Sequence, residues 1–432
     1  MVKKILFVIF LLPTILNAQE VQQGVENMQV LFDSLKVNPQ YKSNEIIMEK
    51  ALLNKSLANS MLFPKIDAFG KYDYANTPVG MMPIAPNDMM AMVKDQNVAQ
   101  PFSQNIFRVG VGFSMPIFVK SIFTMAEKAK MMYQSAEVKA DIDLLKNEAI
   151  IVSSNANLIY IESLDKALDK KRESLKTVEE IVEIKVKNGR APESALLKIK
   201  NGINNIDLTR AQIALNRAKS ISTIQTLTGL KLDSAVVMIQ VNNYTSGDLK
   251  VLEPMERKVE ATKLGVRAEK EKLYPALVLN GNYNHAYANA YNNDGVVNTD
   301  FATVGVTLKI PLFERDQYKK MKIEKINVVE QQNELDRMRL EFSAQASQLE
   351  NSLAIIINSE ELYRQSILDK EELLNIAKVS YKSDRMSIED YLKYEDDLIL
   401  EKSNLYKIEA QKWQTLMKLA VIYGNNIEEI VK

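Results

Sequence analysis

The 432-residue sequence contains no cysteine and a single histidine, His285. The missing thiols exclude disulfides, thiolate metal sites, cysteine nucleophiles and a lipid-anchored N-terminal cysteine. One histidine excludes a multi-histidine metal centre and makes histidine-dependent catalysis a poor hypothesis. Lys plus Arg equal Asp plus Glu at 55 each, so net charge does not favour nucleic acid as a partner. With no phosphate loop and no nucleophile–base–acid set, we predict a protein that is not an enzyme and has no cofactor.

Long apolar runs are also scarce. The first 18 residues, MVKKILFVIFLLPTILNA, begin with Lys3 and Lys4, continue with the apolar run Ile5–Leu12 and end in Ala18. This pattern predicts a cleaved signal peptide at residues 1–18, because the apolar run is too short for a transmembrane anchor. We therefore expect an exported chain without a membrane-spanning helix.

Two distant segments nearly repeat each other. FRVGVGFSMPIF begins at Phe107 and FATVGVTLKIPLF begins at Phe301, and their Val-Gly-Val triplets align at an offset of 195 residues. The same offset aligns Gly189 with Asp384 and Gly229 with Gly424. We infer an internal tandem repeat whose copies cover residues 19–230 and 254–432, joined by a linker at 231–253 with a short strand candidate at Ala235–Val241.

The first copy is longer than the second before its second strand. Leu62-Phe63-Pro64 aligns with Leu273-Tyr274-Pro275 at an offset of 211, so the first copy carries 16 extra residues. They fall in the segment Thr77–Gln104, which is rich in Met, Pro and Gly and is predicted to be a loop. Met81, Met82, Met89, Met90 and Met92 lie in it, and a flexible apolar loop and a soft-metal site are both open interpretations of them.

Each copy contains two segments with period-two alternation. Val109 and Val111 alternate with Arg108 and Ser114, and Val304 and Val306 alternate in the same way with Thr303, Thr307 and Lys309. The pattern predicts four strands of about ten residues, each with one apolar and one polar face. Tyr72, Tyr74, Tyr283 and Tyr287 lie in the first and third strands, a distribution typical of aromatic residues at membrane interfaces.

Two very long segments lack both glycine and proline. Residues 117–188 and 312–423 are such runs, and both are predicted to be helical. Apolar residues spaced by 3 and 4, such as Leu208, Ala211, Leu215 and Ala218, predict coiled-coil seams. Because the first copy has a turn at Asn188–Pro192, we predict a break in the second run near Ser383–Met386.

Four strands cannot close a membrane barrel, because the smallest have about eight and an open edge in lipid leaves backbone groups unpaired. If the strands span a membrane, three copies of the chain would supply twelve. Arg108, Ser114, Thr303, Thr307 and Lys309 would then face the lumen, and the valines would face lipid. A soluble four-stranded sheet and a non-transporting periplasmic coiled-coil scaffold are the alternatives.

At these motifs the chain resembles the TolC-type outer-membrane efflux proteins. The resemblance covers nearly the whole mature chain and depends on the order and spacing of its features. These are the signal peptide, the repeat, the Phe-Pro or Tyr-Pro before a strand, the Pro-Ile-Phe or Pro-Leu-Phe after one, and two long helical hairpins. It implies an α+β fold in a homotrimer, with a twelve-stranded barrel in the outer membrane and a helical tunnel across the periplasm. It also implies a passive duct that works with a periplasmic adaptor and, indirectly, an inner-membrane pump.

The resemblance further implies a narrowing near the hairpin turns. Gate candidates on the second hairpin are Asp390, Glu389, Tyr381, Lys393 and Arg385. Adaptor-contact candidates at the two tips are Gly189, Arg190, Ala191, Asp384, Arg385 and Met386. Lys393 stands where the family has a second acidic residue, and Ala195 stands where an acidic partner of Tyr381 is expected. A first-turn role for Glu389 and Asp390, where carboxylates favour the helix dipole, is an equally open interpretation.

Overall fold

The computed structural model describes residues 27–95, 97–383 and 385–432, so the predicted signal peptide lies outside the described residues. The helices are α1 (Met28–Val37), α2 (Pro39–Ser60), α3 (Pro86–Lys94), α4 (Lys120–Lys187), α5 (Glu193–Thr228), α6 (Glu253–Glu271), α7 (Arg315–Lys382), α8 (Ile388–Tyr423) and α9 (Ile427–Ile430). The strands are β1 (Lys65–Gly80), β2 (Phe102–Phe118), β3 (Ala276–Asn289) and β4 (Val296–Lys309). Among these helices, none combines the length and the apolar character that a membrane crossing needs.

The four strands form one antiparallel sheet in the order β1-β2-β3-β4. The predicted four-stranded content is confirmed, but the strands have 16, 17, 14 and 14 residues and are longer than predicted. The alternating apolar segments mark only part of each strand, because backbone pairing continues through polar residues such as Asn298 and Asp300, opposite Tyr287 and His285. A hydrogen-bonded ladder requires backbone groups and not apolar side chains.

The strand register sorts the side chains onto two faces. Lys71 pairs with Arg108, Arg108 with Ala286, and Ala286 with Thr299, so these four share one face. We call it the polar face; it also carries Lys65, Asp67, Asp73, Ser114, Asn280, Asn282, Asn284, Thr303, Thr307 and Lys309. The opposite, apolar face carries Ile66, Tyr72, Tyr74, Phe107, Val109, Val111, Tyr283, Tyr287, Val304, Val306 and Leu308.

Two glycines make room for cross-strand phenyl rings. A Cβ at Gly110 would collide with the backbone carbonyl of Tyr283 on β3 and would lie 2.8 Å from the ring of Phe69, its partner on β1. A Cβ at Gly281 would collide with the ring of Phe113, its partner on β2. Each ring therefore lies over bare backbone, which explains these glycines by packing within the sheet.

The methionine-rich segment Thr77–Gln104 is not simply a loop. It contains the end of β1, the helix α3 with Pro86 in its first turn, and the start of β2. Met81 is 3% exposed and packs with Ile106, Ala286 and Ala288, all on the polar face. The segment therefore covers one end of that face.

The long helices match the glycine-free and proline-free runs. Helices α4 and α7 have 68 residues each and α5 and α8 have 36 each, which gives lengths of roughly 100 Å and 54 Å. The predicted break is confirmed, because α7 ends at Lys382 and α8 begins at Ile388. Helices α4 and α7 begin 195 residues apart, and so do α5 and α8.

Helix α4 packs against α2, α5, α6 and α8, while α7 packs against α6 and α8. The largest core cluster joins α1, the middle of α4, the ends of α5 and α8, and α9, with Phe32, Ile151 and Leu419 fully buried. Burying one such side chain contributes about 1.5–3 kcal/mol. The predicted seam with Leu208 and Leu215 is not buried within one protomer, where these residues are 70% and 67% exposed; the buried stripe of α5 is Ile199, Ile203, Ile206 and Ile213.

The strand predicted at Ala235–Val241 is also wrong. Only an isolated bridge joins Gln240 to Val431, flanked by backbone hydrogen bonds between Ile239 and Lys432. The segment instead lies against α4, where the Asn155 side chain donates to the Val236 carbonyl and accepts from its N–H. Asn155 is fully buried, so this contact anchors the linker in the core.

Candidate functional site

The tip of the first hairpin is fixed by a left-handed glycine. Gly189 has φ +66°, and the N–H of Arg190 donates to the Lys185 carbonyl at 2.8 Å. This helix-ending motif satisfies carbonyls that the last turn leaves free, and glycine adopts the left-handed conformation without strain. Gly189 and Arg190 are exposed and Ala191 is half-buried, so the tip presents backbone and one cation to solvent.

The tip of the second hairpin has a similar path. The N–H of Arg385 donates to the Ser380 carbonyl at 2.9 Å, while Asp384 lies outside the described residues. Ser387 then caps α8, since its hydroxyl oxygen accepts from the Asp390 N–H at 3.1 Å. Arg385 is exposed and Met386 is half-buried against the hairpin core.

The acidic gate candidates are both exposed and both locally engaged. The Asp390 carboxylate accepts from the Ser387 hydroxyl at 2.7 Å, which makes a reciprocal cap. Glu389 forms an ion pair at 2.6 Å with Lys198 of α5. Lys393 is exposed on the following turn. Both carboxylates therefore lie in the first turn of α8, where a negative charge favours the helix dipole.

Tyr381 is packed against another tyrosine. Its ring stacks on Tyr391 with centroids 5.3 Å apart, and the ammonium of Lys185 lies 5.6 Å from its centroid. Ala195 is half-buried in the same apolar cluster. The contacts that hold Tyr381 are thus aromatic and cationic.

A buried carboxylate beside this stack was missed in the sequence. Glu395 is 8% exposed, and its Oε1 accepts from the hydroxyls of Ser174 at 2.6 Å and Tyr391 at 2.7 Å, while its Oε2 has no partner among the described residues. Burial and the hydrogen bond to Glu395 raise the pKa of Tyr391 to about 12. Burial lowers the pKa of Lys171, which forms an ion pair with Asp396. The i, i+4 spacing of Tyr391 and Glu395 was visible in the sequence, but their common burial against α4 was not.

A second buried carboxylate lies far from the tips, in the largest core. Glu148 of α4 is 2% exposed and its Oε2 has no partner among the described residues. Burial raises the pKa of Glu148 to about 7, the nearby Glu428 adds to the rise, and Lys36 opposes it. Lys36 is itself paired with Glu428 at 2.6 Å. A carboxyl with such a pKa changes its charge near neutral pH.

The sheet residues predicted to face a lumen all lie on one face. Arg108, Ser114, Thr303, Thr307 and Lys309 share the polar face by register. Val109, Val111, Val304 and Val306 lie on the opposite face and are 56%, 45%, 74% and 57% exposed. The two faces of the sheet therefore differ in chemistry: one carries hydroxyl and charged groups, and the other is apolar.

The methionines of this segment differ in how far they are buried. Met81 is buried against alanine and isoleucine side chains, whereas Met90 is 70% exposed. In the described part of the chain, no group of three or more His, Asp or Glu side chains is placed to hold a metal ion.

The sequence matches no protein-family model and no curated protein. The fold, in contrast, matches solved outer-membrane channels. CmeC of Campylobacter jejuni superimposes with a TM-score of 0.74 at 18% identity, over 92% of this chain and 85% of that one. VceC of Vibrio cholerae gives 0.74 at 12%, over 92% and 96%, and MtrE of Neisseria gonorrhoeae in its open state gives 0.72 at 15%, over 93% and 90%.

These matches confirm the predicted resemblance at the level of the fold. Over 92% of its length the chain has the fold of these outer-membrane channels, with a four-stranded antiparallel sheet joined to two long helical hairpins. The matched structures are channels and not enzymes.

Proposed function

We propose that the chain is one protomer of a passive exit duct in the outer membrane, serving a tripartite efflux or type I secretion system. Three copies would close a twelve-stranded barrel, and their helical hairpins would form a coiled-coil tunnel across the periplasm. An adaptor at the hairpin tips would connect the duct to an inner-membrane pump.

The observation that carries this proposal is the sheet itself. It exposes an apolar face, with Val304 74% and Leu308 59% exposed, and leaves β1 and β4 as unpaired edges. An apolar face suits lipid, but open edges do not, since unpaired backbone groups in hydrocarbon are costly. Pairing β4 of one copy with β1 of the next removes every edge. A soluble scaffold would expose this same apolar face to water, which disfavours that alternative.

The helices support the same assembly. Large apolar side chains lie exposed along α7, including Leu340 at 75%, Ile355 at 66% and Leu362 at 63%. We propose that neighbouring protomers cover them. The equal helix lengths and the constant offset of 195 support an internal repeat, so that three chains give six similar hairpins around the axis.

The tips would be the adaptor-contact and gating end. Gly189, Arg190, Ala191, Arg385 and Met386 lie at the ends of both hairpins, roughly 100 Å from the sheet by helix rise. Three copies of Asp390 and Glu389 near the axis would form an acidic constriction, tempered by Lys393 and Arg385.

The mass of the detergent-solubilised protein tests the assembly. We expect a trimer recovered from outer-membrane fractions. A stable monomer, or a mature chain in the soluble periplasmic fraction, would overturn the proposal.

Thiol labelling tests the facing of the strands, and the absence of native cysteine makes it clean. Single cysteines at Ser114, Thr303 and Thr307 should react with a water-soluble thiol reagent, and cysteines at Val109 and Val304 should not. Equal labelling of both sets would show that the polar face does not line a water-filled lumen.

A further inference from the structure

The polar face carries more positive than negative charge. Register places four cations on it, Lys65, Lys71, Arg108 and Lys309, and two carboxylates, Asp67 and Asp73. The difference is +2 for each protomer. The remaining charged residue of the strands, Asp300, lies on the apolar face opposite His285.

One carboxylate is shared by two cations. Lys71 lies directly opposite Arg108, and Asp73 forms ion pairs with both, at 2.7 Å with Lys71. Asp73 neutralises only one of these charges, so the group keeps a net charge of +1. Because the three residues come from neighbouring strands on one face, this charge is held in place on the polar face.

Two further lysines lie at the end of the sheet nearest the long helices. Lys65 begins β1 just after α2, and Lys309 ends β4 just before α7. Neither forms an ion pair with another of the described residues. They stand on opposite edge strands, so pairing of β4 with the next protomer's β1 brings both to the seam between protomers.

We infer that this lumen wall is a selectivity element for anionic cargo, an inference that rests on the proposed function. Around the three-fold axis the wall would carry a net charge of about +6, with the lysines at the entrance from the tunnel. Rings of Lys and Arg favour anions in pores, and low-dielectric walls strengthen their field. Molecules with carboxylate, sulfonate or phosphate groups fit this wall, and its Asn and Thr side chains supply hydrogen bonds.

The reactivity of a thiol on the polar face reports the charge of this wall independently of any charge at the hairpin tips. Ser114 is the direct cross-strand neighbour of Lys65, so Ser114→Cys places a thiol beside that ammonium. The full trimer would be treated with an anionic and a cationic methanethiosulfonate reagent, and the two rates compared with those of a free thiol. We expect the anionic reagent to be favoured about threefold to tenfold. A unit charge at about 5 Å changes each rate roughly threefold, and Asp67, two residues along β1 on the same face, offsets part of that change.

Adding Lys65→Gln should remove most of this preference. Adding Lys94→Gln, which removes the same charge from α3 at the other end of the sheet, should not. Equal relative rates for the two reagents in intact trimers, or no reaction with either reagent, would overturn the inference but not the proposal that the protein is a duct. Failure to form trimers would instead overturn the proposed function.

Discussion

Replacement of the buried Glu148 by Gln should remove a pH dependence from the stability of the protein. Glu148 lies in the largest core, with Glu428 and Lys36 as its charged neighbours. Its carboxyl group has no partner for Oε2 among the described residues. Glutamine has nearly the same shape and stays uncharged, so Glu148→Gln imitates the protonated form at every pH.

The direction and the magnitude of this stability change follow from the pKa of Glu148 in the unfolded chain and in the folded protein. In the unfolded chain the carboxyl titrates near 4.5, and in the folded protein its pKa is about 7. The folded state therefore holds the proton more tightly, and the contribution of Glu148 to the free energy of unfolding is greatest below about pH 4.5 and is lost as pH rises through 7. The difference between the two values corresponds to about 3 kcal/mol. Above pH 7, Glu148→Gln should be more stable than the wild type by up to about this amount.

Guanidinium unfolding between pH 4 and pH 8 measures the effect. The only tryptophan, Trp413, packs against the same core cluster, so its fluorescence reports the loss of that core. Glu137→Gln, on an exposed position of α4, is the control and should leave the pH dependence unchanged. If Glu148→Gln and the wild type lose stability in parallel from pH 4.5 to pH 7.5, the buried carboxyl is not the titrating group and the reasoning fails.

Three further changes act at the hairpin tips. Asp390→Asn should shift the ratio of cation to anion permeability towards anions by about twofold in single-channel recordings, because it removes one carboxylate per protomer from the proposed constriction while the Ser387 cap is retained. No change in this ratio would show that the carboxylate does not face the conduction path. Tyr391→Phe removes a hydrogen bond to the buried Glu395 carboxylate at a cost of about 1.5–3 kcal/mol, and should speed amide exchange at the start of α8; unchanged exchange would contradict this role. Gly189→Ala should destabilise the first tip by about 1–2 kcal/mol in unfolding experiments, and an Asn at this position should be milder, because φ is +66° there; equal effects of both would argue against backbone strain.

The sequence alone predicted the large elements, because their signals are local. Residues other than glycine and proline favour continuation of a helix, so the runs free of both located α4 and α7. The turn at Asn188–Pro192 located the break between α7 and α8. Alternation assigned Val109 and Arg108 to opposite faces, as the register confirms. The order of these elements was enough to identify the fold.

Contacts between distant segments were decided only by the tertiary structure. Strand ends depend on backbone partners, so the sheet extends past its apolar residues. A heptad shows that a helix has an apolar stripe and not which neighbour covers it, so Leu208 lies exposed while Ile206 lies buried. The buried Glu395 and Glu148 look like ordinary helical glutamates in the sequence. Their burial arises where α8, α1 and α9 pack against α4, and desolvation there raises the pKa of Glu148, which residue type alone does not determine.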